Sequence, residues 1–389
     1  MKIVDVCAFY APNGGGVRTY IDRKLLAGPK QGHEIVVVAP GERTWTEERG
    51  PLARIHWLKS PRFPVDGNYR YFADRAGLYR ILDAEDADVV EASSPWRSAA
   101  MVADWPGRAA RALIAHADPL AAFAYRWFEG VADRATVDQR FEMYWRHLRR
   151  LDARVDFVVS ASAGLSARLR AGGLTKVVTN PMGVEAGVFS PQLRDLELRR
   201  RLLRSCGLDA DATLLIGVGR HAPEKRWTMI ADAVTAASHH RPIGLLLVGD
   251  GRARAKFVRA VGTNPHIHLL APITDRNELA RLMASADALV HGCEAETFCL
   301  VAAEARASGL PLIVPDIGGA ADQASIPGNW QYCAGNAGDA AIVIAAAARS
   351  LAGGMRTVSR QSTPRLMEDH FGQLFALYET RATPLQLAA

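Results

Sequence analysis

Short apolar segments alternate with amphipathic segments along most of the chain. Apolar runs bounded by glycine, proline or polar residues predict buried strands, and the amphipathic stretches between them predict helices. Strands that alternate with helices in this way indicate parallel sheets covered by crossover helices. The fold class is therefore α/β. The predicted strands lie at 2–9, 34–39, 53–58, 89–92, 112–116, 157–161 and 176–179 in a first series, and at 213–218, 243–248, 267–270, 288–291 and 312–315 in a second.

A change in composition separates the two series of strands. The first series ends before Pro191, and a strongly charged stretch at 193–204 precedes the second. We therefore predict a domain boundary near Ser190, with a first domain at 1–190 and a second at 191–360. The remaining segment, 361–389, contains an amphipathic helix predicted at 365–378.

Composition narrows the class of protein. The 389 residues are 49% hydrophobic, which is typical of a globular chain long enough for two cores. The net charge of +6 suits acidic partners such as nucleotide phosphates or anionic lipid without requiring them. Five scattered cysteines lack metal-binding spacing and favour a reduced compartment. With no visible signal peptide and no apolar run of membrane-spanning length, we expect a soluble or peripheral protein.

Two carboxylates eight positions apart, Glu296 and Glu304, lie where an apolar strand leads into an alanine-rich helix. If that helix begins near Phe298, both acids share roughly one face, because eight positions is a little over two turns. The N–H groups of Thr297, Phe298 and Cys299 would then be unpaired donors at a helix start, which suit an anion. Acids beside an anion site fit a ligand with both hydroxyls and phosphates, such as a nucleotide sugar.

Two cations, Arg220 and Lys225, share a loop between a strand and a helix. Together they could hold a diphosphate and neutralise it as a leaving group; a solvated basic loop is the alternative. Gly249 ends the next strand within Val-Gly-Asp-Gly. It is either a turn beside a nucleotide or a plain tight turn.

The first half offers a glycine-rich turn and a histidine. Gly15 and Gly16 follow the first strand, where glycine lets the backbone approach a ligand closely. The run matches neither the dinucleotide fingerprint nor a P-loop. His116 ends a strand, which is where ligands bind in open parallel sheets, and Asp118 follows it. The alternative for the two glycines is a turn without a ligand. The alternative for His116 is a hydrogen-bonded loop histidine, and for Asp118 a turn residue before proline.

As a set, these motifs resemble the retaining glycosyltransferases of family 4. The segment 296–304 is similar to the family's Glu-x7-Glu signature, with Thr297 and Cys299 where the family has glycine. The segment 219–225 resembles its Gly-Arg-x4-Lys loop, and 180–191 resembles its hinge. The resemblance implies the GT-B fold, in which two Rossmann-like parallel-sheet domains face a cleft. It also implies an acceptor on the first domain, a donor on the second, and a C-terminal helix that crosses back to the first.

The resemblance also implies roles for individual residues. Arg220 and Lys225 would stabilise the donor diphosphate, Glu296 would hold hydroxyls of the transferred sugar, and Glu304 would bind the ribose. His116 would lie near the transferred sugar, and Asp118 would contact the acceptor. The catalytic set is then His116, Arg220, Lys225 and Glu296, and the donor-binding set is Gly15, Gly16, Gly249, Ile273, Thr297, Phe298, Cys299 and Glu304.

The predicted function is transfer of a hexose-type sugar, with retention, from a UDP-, GDP- or ADP-sugar to a hydroxyl acceptor. That acceptor is a glycan, a lipid or a small metabolite. Because no His/carboxylate cluster suited to a metal is visible in the sequence, we predict a metal-independent reaction without a cofactor. A GT-B epimerase, a phosphorylase and a non-catalytic binding protein are the alternatives. The basic residues are dispersed, so no nucleic acid is expected.

The stretch 126–154 combines arginines with aromatic residues. This pattern indicates a peripheral contact with anionic lipid headgroups or with an acceptor. The alternative is a helix with a solvated basic face and core aromatics. We expect a cytoplasmic protein, either free or at the inner face of the membrane.

Overall fold

The computed structural model describes residues 1–11, 15–64, 69–262, 264–352 and 364–387, and it divides into two compact units. The first unit comprises Met1–Ala117, Ala132–Pro181 and Glu368–Ala389. The second comprises Asp118–Val131 and Met182–Met367. Three residues of the predicted glycine-rich turn, 12–14, lie outside the described ranges.

Within the described residues, the first unit contains one eight-stranded sheet of order β3-β4-β2-β1-β5-β6-β7-β8. Neighbouring strands are parallel except for the β3–β4 pair. The strands are β1 (Lys2–Val6), β2 (Glu34–Gly41), β3 (Trp45–Gly50), β4 (Ala53–Lys59), β5 (Val89–Ala92), β6 (Ala110–Ala115), β7 (Phe157–Ser160) and β8 (Val177–Thr179). The helices up to β8 are α1 (Gly16–Lys30), α2 (Arg75–Glu85), α3 (Arg97–Asp104), α4 (Tyr125–Trp127), α5 (Arg134–Arg140), α6 (Glu142–Asp152) and α7 (Ala163–Ala171).

Helix α4 and the π-helical turn before it, Leu120–Ala124, are the part of this stretch that belongs to the second unit.

Within its described residues, the second unit contains a six-stranded parallel sheet of order β11-β10-β9-β12-β13-β14. The strands are β9 (Thr213–Val218), β10 (Ile243–Val248), β11 (Ile267–Leu270), β12 (Ala288–Val290), β13 (Leu312–Pro315) and β14 (Trp330–Tyr332). The helices are α8 (Leu196–Ser205), α9 (Trp227–Ala237), α10 (Arg254–Val261), α11 (Arg276–Ser285), α12 (Leu300–Ala307), α13 (Gly319–Gln323) and α14 (Ala337–Ala352). Apolar side chains cover both faces of this sheet, which explains its continuous hydrophobic runs.

A buried lysine fixes α1 against the centre of the first sheet. Lys24 of α1 is fully buried, and its Nζ lies 2.9 Å from Oδ2 of Asp5 on β1 and bonds to Glu91 on β5. Asp5 and Glu91 are paired across the two strands. A buried charge persists only when paired in this way, so the helix that begins at Gly16 has a defined position over the sheet.

Every predicted strand is present, and two further strands were missed. β3 is mostly exposed and polar, and it pairs only at the sheet edge, so it carries no hydrophobic run. β14 is only three residues long. The C-terminal helix, α15 (Met367–Leu387), begins two residues later than predicted. Among the described residues, no helix combines the length and hydrophobicity that a membrane crossing requires.

Candidate active site

The second unit gathers several predicted site residues at one edge of its sheet. The loops that hold Arg220, Gly249, Ile273 and Glu296 follow β9, β10, β11 and β12, so they leave the carboxyl ends of parallel strands. The strand order reverses between β9 and β12, which lie side by side. In open α/β sheets, ligands bind at such a switch point.

An ion pair joins the two loops at the switch point. The Nζ of Lys225 bonds to Oε1 of Glu296, and the two side chains retain 15% and 24% of their exposure. Although burial opposes both charges, Glu296 raises the pKa of Lys225 above its ordinary range, and Lys225 and His291 lower the pKa of Glu296. Both groups are therefore charged at neutral pH. The structure thus brings together two members of the predicted catalytic set.

His291 and Cys299 complete the surroundings of Glu296. His291 Nε2 lies 3.6 Å from Glu296 Oε1, and burial lowers the pKa of His291. Ligand atoms of His291, Glu296 and Cys299 lie within 4.8 Å of one another, so these residues could hold a metal ion. The ammonium of Lys225 already bonds to the same carboxylate oxygen. His291 lies in no motif of the sequence and was predicted only as the last residue of the strand 288–291.

The helix after Glu296 begins later than predicted. α12 starts at Leu300, and Cys299 is its N-cap with φ 65° and ψ 69°. The prediction of a start near Phe298 is therefore wrong, and Thr297, Phe298 and Cys299 lie in the preceding loop. The left-handed conformation of Cys299 explains the shift, because that residue cannot belong to a right-handed helix.

A glycine pair missed by the sequence analysis supports this loop. Gly318 and Gly319 follow β13, and the N–H of Gly319 donates to the carbonyl of Glu296 at 2.6 Å. A Cβ on Gly318 would lie 2.3 Å from the carbonyl oxygen of Glu294. A Cβ on Gly319 would lie 2.5 Å from the amide nitrogen of Phe298. Only glycine permits this close approach, and a glycine pair after a predicted strand was the available signal.

Arg220 does not contact an acid of the signature motif. Its side chain is 70% exposed and lies 3.6 Å from Glu224 within the same loop. The carbonyl of Arg220 accepts a hydrogen bond from the indole of Trp227 at 3.0 Å, which fixes the loop backbone. The guanidinium is therefore accessible to a ligand, and its predicted role on a diphosphate stays a prediction.

Arg226, next to Lys225, has a different function in the structure. It adopts a left-handed conformation, with φ 50°, at the N-cap of α9. Its guanidinium donates to both oxygens of buried Glu294, at 2.8 and 2.6 Å, and to Glu129 at 3.0 Å. A bidentate pair of this type is among the stronger ionic contacts, so it stabilises the loop that holds Lys225.

Glu304 lies within α12 and pairs with an arginine that the motif does not include. Its Oε1 accepts from Arg276 Nη2 at 2.5 Å. Burial raises the pKa of Glu304, the Arg276 charge lowers it, and Glu185 adds to the increase. Glu304 is therefore a buried acid whose ionised form depends on its neighbouring cation.

The remaining donor-side positions have structural partners. A Cβ on Gly249 would lie 2.0 Å from the carbonyl oxygen of Gly219, in the loop that leads to Arg220. Gly249 therefore allows two site loops to pack closely. Ile273 is partly buried and packs against the core beneath this edge of the sheet.

The first unit contains Gly15, Gly16 and His116, whereas Asp118, predicted to contact the acceptor, lies in the second unit. Gly15 is the N-cap of α1, and an added Cβ on Gly15 or Gly16 would meet no atom within 4 Å. His116 follows β6, and burial lowers its pKa to about 4, so the ring is neutral at pH 7. Its ring centroid lies 4.7 Å from that of Tyr20. Asp118 belongs to the second unit, where it caps the π-helical turn by accepting from the N–H of Leu120.

Two family models match the chain in succession. The model described as "Glycosyltransferase Family 4" matches residues 14–188, and the model described as "Glycosyl transferases group 1" matches 212–353. The chain is 32% identical over 335 residues to a GDP-mannose-dependent alpha-mannosyltransferase of Mycolicibacterium smegmatis, which covers 83% of this chain and 81% of the relative.

A second relative has a named lipid acceptor. It is the GDP-mannose-dependent alpha-(1-6)-phosphatidylinositol dimannoside mannosyltransferase of Mycobacterium tuberculosis, 30% identical over 323 residues, covering 81% of this chain and 79% of the relative. Among solved structures, sucrose-phosphate synthase from Thermosynechococcus elongatus matches with a TM-score of 0.73 at 20% identity, covering 100% of both chains. The GT-B fold predicted from the sequence is therefore confirmed.

Proposed function

We propose that this chain, which belongs to the family 4 glycosyltransferases of GT-B fold, is a retaining, metal-independent α-mannosyltransferase that uses GDP-mannose. Family membership makes it a nucleotide-sugar-dependent hexosyltransferase. The observation that carries the donor is the 32% identity, over 83% of this chain, to a GDP-mannose-dependent alpha-mannosyltransferase.

The proposed chemistry uses cations of this chain. As the bond between mannose and the diphosphate breaks, negative charge grows on the departing phosphate oxygen. Lys225, which is charged and held by Glu296, would stabilise that charge together with the accessible Arg220. Front-face attack by the acceptor hydroxyl then retains the configuration, and the departing phosphate takes the acceptor proton. Donor and acceptor supply every atom of the exchange.

The two acids of the signature would divide the donor between them. Glu296 lies in the loop beside Lys225 and would hold hydroxyls of the mannose, while Glu304 lies in α12 and would accept from the ribose. We therefore expect Glu304→Gln to weaken binding of free GDP, and Glu296→Gln to lower turnover with little change in GDP affinity. Calorimetry with GDP, beside turnover assays, separates the two. Equal losses of GDP affinity in both variants would contradict this division.

The proposal of metal independence rests on Lys225. Among the described residues, one group of side chains could hold a metal ion, namely His291, Glu296 and Cys299. The ammonium of Lys225 bonds to the carboxylate of Glu296 and so supplies positive charge there. We expect equal turnover in EDTA and in added Mg²⁺ or Mn²⁺. Activity that disappears on chelation and returns with one metal would overturn this part of the proposal.

A lipid acceptor is favoured by the relative that acts on a phosphatidylinositol dimannoside, and by exposed aromatic residues in the segment Asp118–Val131. Trp127 is 65% exposed and Phe123 49%, and their ring centroids lie 5.8 Å apart. Aromatic residues of this kind favour a membrane interface. We expect the protein to sediment with vesicles that contain phosphatidylinositol, and Phe123→Ser/Trp127→Ser to reduce this. Ile342→Ser, an exposed position on α14, is the matched control.

Donor screening tests the whole proposal. GDP-mannose, GDP-glucose, UDP-glucose and ADP-glucose are each incubated with the protein and a phosphatidylinositol mannoside, and the products are separated. Mannosylated lipid with an α linkage, formed from GDP-mannose, is the expected product. Transfer from a UDP- or ADP-sugar alone would overturn the donor. Release of sugar phosphate, or an isomerised donor, would instead identify a phosphorylase or an epimerase.

A further inference from the structure

We propose that Arg276 is a positioning residue of the donor site, which orients Glu304 so that its carboxylate accepts hydrogen bonds from the ribose hydroxyls. The inference rests on the proposed function, because it requires Glu304 to contact the nucleoside. Arg276 lies 28 positions before Glu304 and outside every motif in the sequence analysis.

The contact between the two side chains is direct. Nη2 of Arg276 donates to Oε1 of Glu304 at 2.5 Å. An ionised carboxylate accepts about four hydrogen bonds, so one bond to Oε1 leaves capacity for a ligand. A diol with two neighbouring hydroxyls, such as ribose, fits that capacity. The bond to Arg276 fixes the rotation of the carboxylate, which decides where its remaining acceptors point.

Arg276 is itself held in a defined position. It is the first residue of α11, whose N-cap is Asp275. Its guanidinium carbon lies 4.8 Å from the ring centre of Phe189, and its Nε lies 3.9 Å from Oε2 of Glu185. Stacking on an aromatic ring while bonding to an acid is a capacity of arginine that lysine lacks. Contacts with Phe189, Glu185 and Glu304 therefore fix the guanidinium before a nucleotide binds.

The charge of Arg276 also keeps Glu304 able to accept. Glu304 is buried, and the charged groups that face it are Arg276 and Glu185. Burial and Glu185 both favour the protonated form, and Arg276 opposes them. A protonated carboxyl loses acceptor capacity and gains a donor. Without Arg276, Glu304 would lose its acceptor role at a higher pH than in the natural protein.

The experiment compares the affinity of a nucleoside diphosphate with that of its 2′-deoxy and 2′,3′-dideoxy forms. Calorimetry is done with GDP, or with UDP or ADP if one of these binds instead. A wrong donor base is thereby distinguished from a wrong role for Arg276. In the natural protein, loss of the ribose hydroxyls should weaken binding roughly tenfold to a hundredfold, the range for hydrogen bonds to a charged group.

In Arg276→Gln, the penalty for the dideoxy nucleotide should fall below about threefold, while affinity for the dideoxy form itself changes little. The penalty should return as the pH is raised, because Glu304 then ionises without its partner. Arg276→Lys should keep part of the penalty. The matched control is Arg281→Gln, on the same helix. Arg281 is 54% exposed and pairs with Asp195, so this variant should keep the full penalty.

Three results would overturn the inference. One is a full ribose penalty in Arg276→Gln with an unchanged pH profile, which would leave the proposed function intact. Another is a natural protein that binds the nucleotide but ignores its ribose hydroxyls, because Glu304 would then not contact them. The third is a uniform loss of affinity for all three nucleotides in Arg276→Gln, which would show a structural role only. Thermal unfolding of each variant shows whether it is folded. If Arg276→Gln is misfolded, the same comparison of nucleotides is made with Arg276→Lys.

Discussion

Two residues of the candidate site adopt a left-handed backbone conformation that favours glycine. Cys299 has φ 65°, and Arg226 has φ 50°. Cys299 occupies a position where the family signature has glycine. Such conformations are costly for other residues and persist where surrounding contacts enforce them. For Arg226 these contacts are the ion pairs with Glu294 and Glu129, and for Cys299 they are the buried packing of its side chain.

The conformation of Cys299 predicts an unusual order of stabilities. Cys299→Gly should be more stable than Cys299→Ala by about 1 kcal/mol, because alanine retains a Cβ at positive φ and glycine does not. Both variants lose the same sulfur atom, so they differ only in the Cβ that alanine keeps at this positive φ. The measurement is the free energy of unfolding in urea. An alanine variant at least as stable as the glycine variant would show that the backbone at 299 is relaxed.

The charge of Lys225 predicts a large kinetic effect. Lys225→Ala should remove about 2–4 kcal/mol of transition-state stabilisation and lower turnover accordingly, because the departing diphosphate loses a charged partner. Lys256→Ala, an exposed lysine on α10, is the control and should retain turnover. Initial rates at saturating donor provide the measurement. Turnover within threefold of the natural protein in Lys225→Ala would exclude a role on the leaving group.

At the scale of elements, the site is a set of loops at the carboxyl ends of parallel strands. The loops after β9 and β10 are joined by backbone hydrogen bonds, including His221 N–H to the carbonyl of Asp250 at 2.8 Å. The loops after β12 and β13 are joined by Gly319 and Glu296. Each loop that holds a charged group is therefore braced by the loop of a neighbouring strand.

This bracing predicts that Gly249→Ala acts at a distance. A Cβ there would lie 2.0 Å from the carbonyl oxygen of Gly219, so the loop with Arg220 and Lys225 must move. A displacement of 1 Å can cost about a hundredfold in rate, so we expect kcat/KM to fall by more than tenfold. Gly262→Ala is the control: its φ is also positive, at 60°, but its Cβ would meet no atom within 4 Å.

The control variant Gly262→Ala should lose some stability but keep kcat/KM, because its backbone strain lies at the end of α10. Equal kcat/KM in both glycine variants would show that the contact between Gly249 and Gly219 does not position the loop.

At the scale of the whole molecule, both units rest on mostly parallel sheets, and in each unit ionic contacts join distant segments. Glu85 at the end of α2 meets Arg54 at 3.1 Å and His56 at 2.6 Å, both on β4. Although burial opposes ionisation, these two partners lower the pKa of Glu85 from 4.5 to about 2.

A lowered carboxyl pKa stabilises the folded state above the unfolded value, and the stability is lost as pH falls. Glu85 should therefore contribute about 2–3 kcal/mol above pH 4.5 that disappears between pH 4.5 and 2. The free energy of unfolding of Glu85→Gln, measured at pH 7 and near pH 2.5, checks this. Glu42→Gln, whose side chain is 76% exposed, should have little effect at either pH. A deficit in Glu85→Gln that persists unchanged at the lower pH would contradict the assignment.

The sequence by itself determined the fold class, the predicted strands and the identity of the charged site residues. Buried parallel strands must be continuously apolar, and helices must be amphipathic, so both are visible as local patterns. Lys225 and Glu296 were found because their loops carry family motifs next to such strands. β3 and β14 were missed because an exposed edge strand and a three-residue strand leave no hydrophobic signal.

Only the tertiary structure decided which side chains meet. The pairing of Glu304 with Arg276 depends on the packing of α11 and α12. The hydrogen bond from Gly319 to Glu296 forms because β12 and β13 are neighbours in the sheet. The start of α12 was predicted wrongly because a left-handed Cys299 is unfavourable locally and is imposed by its surroundings. Local patterns report burial and periodicity, whereas these contacts arise from distances across the fold that no local pattern encodes.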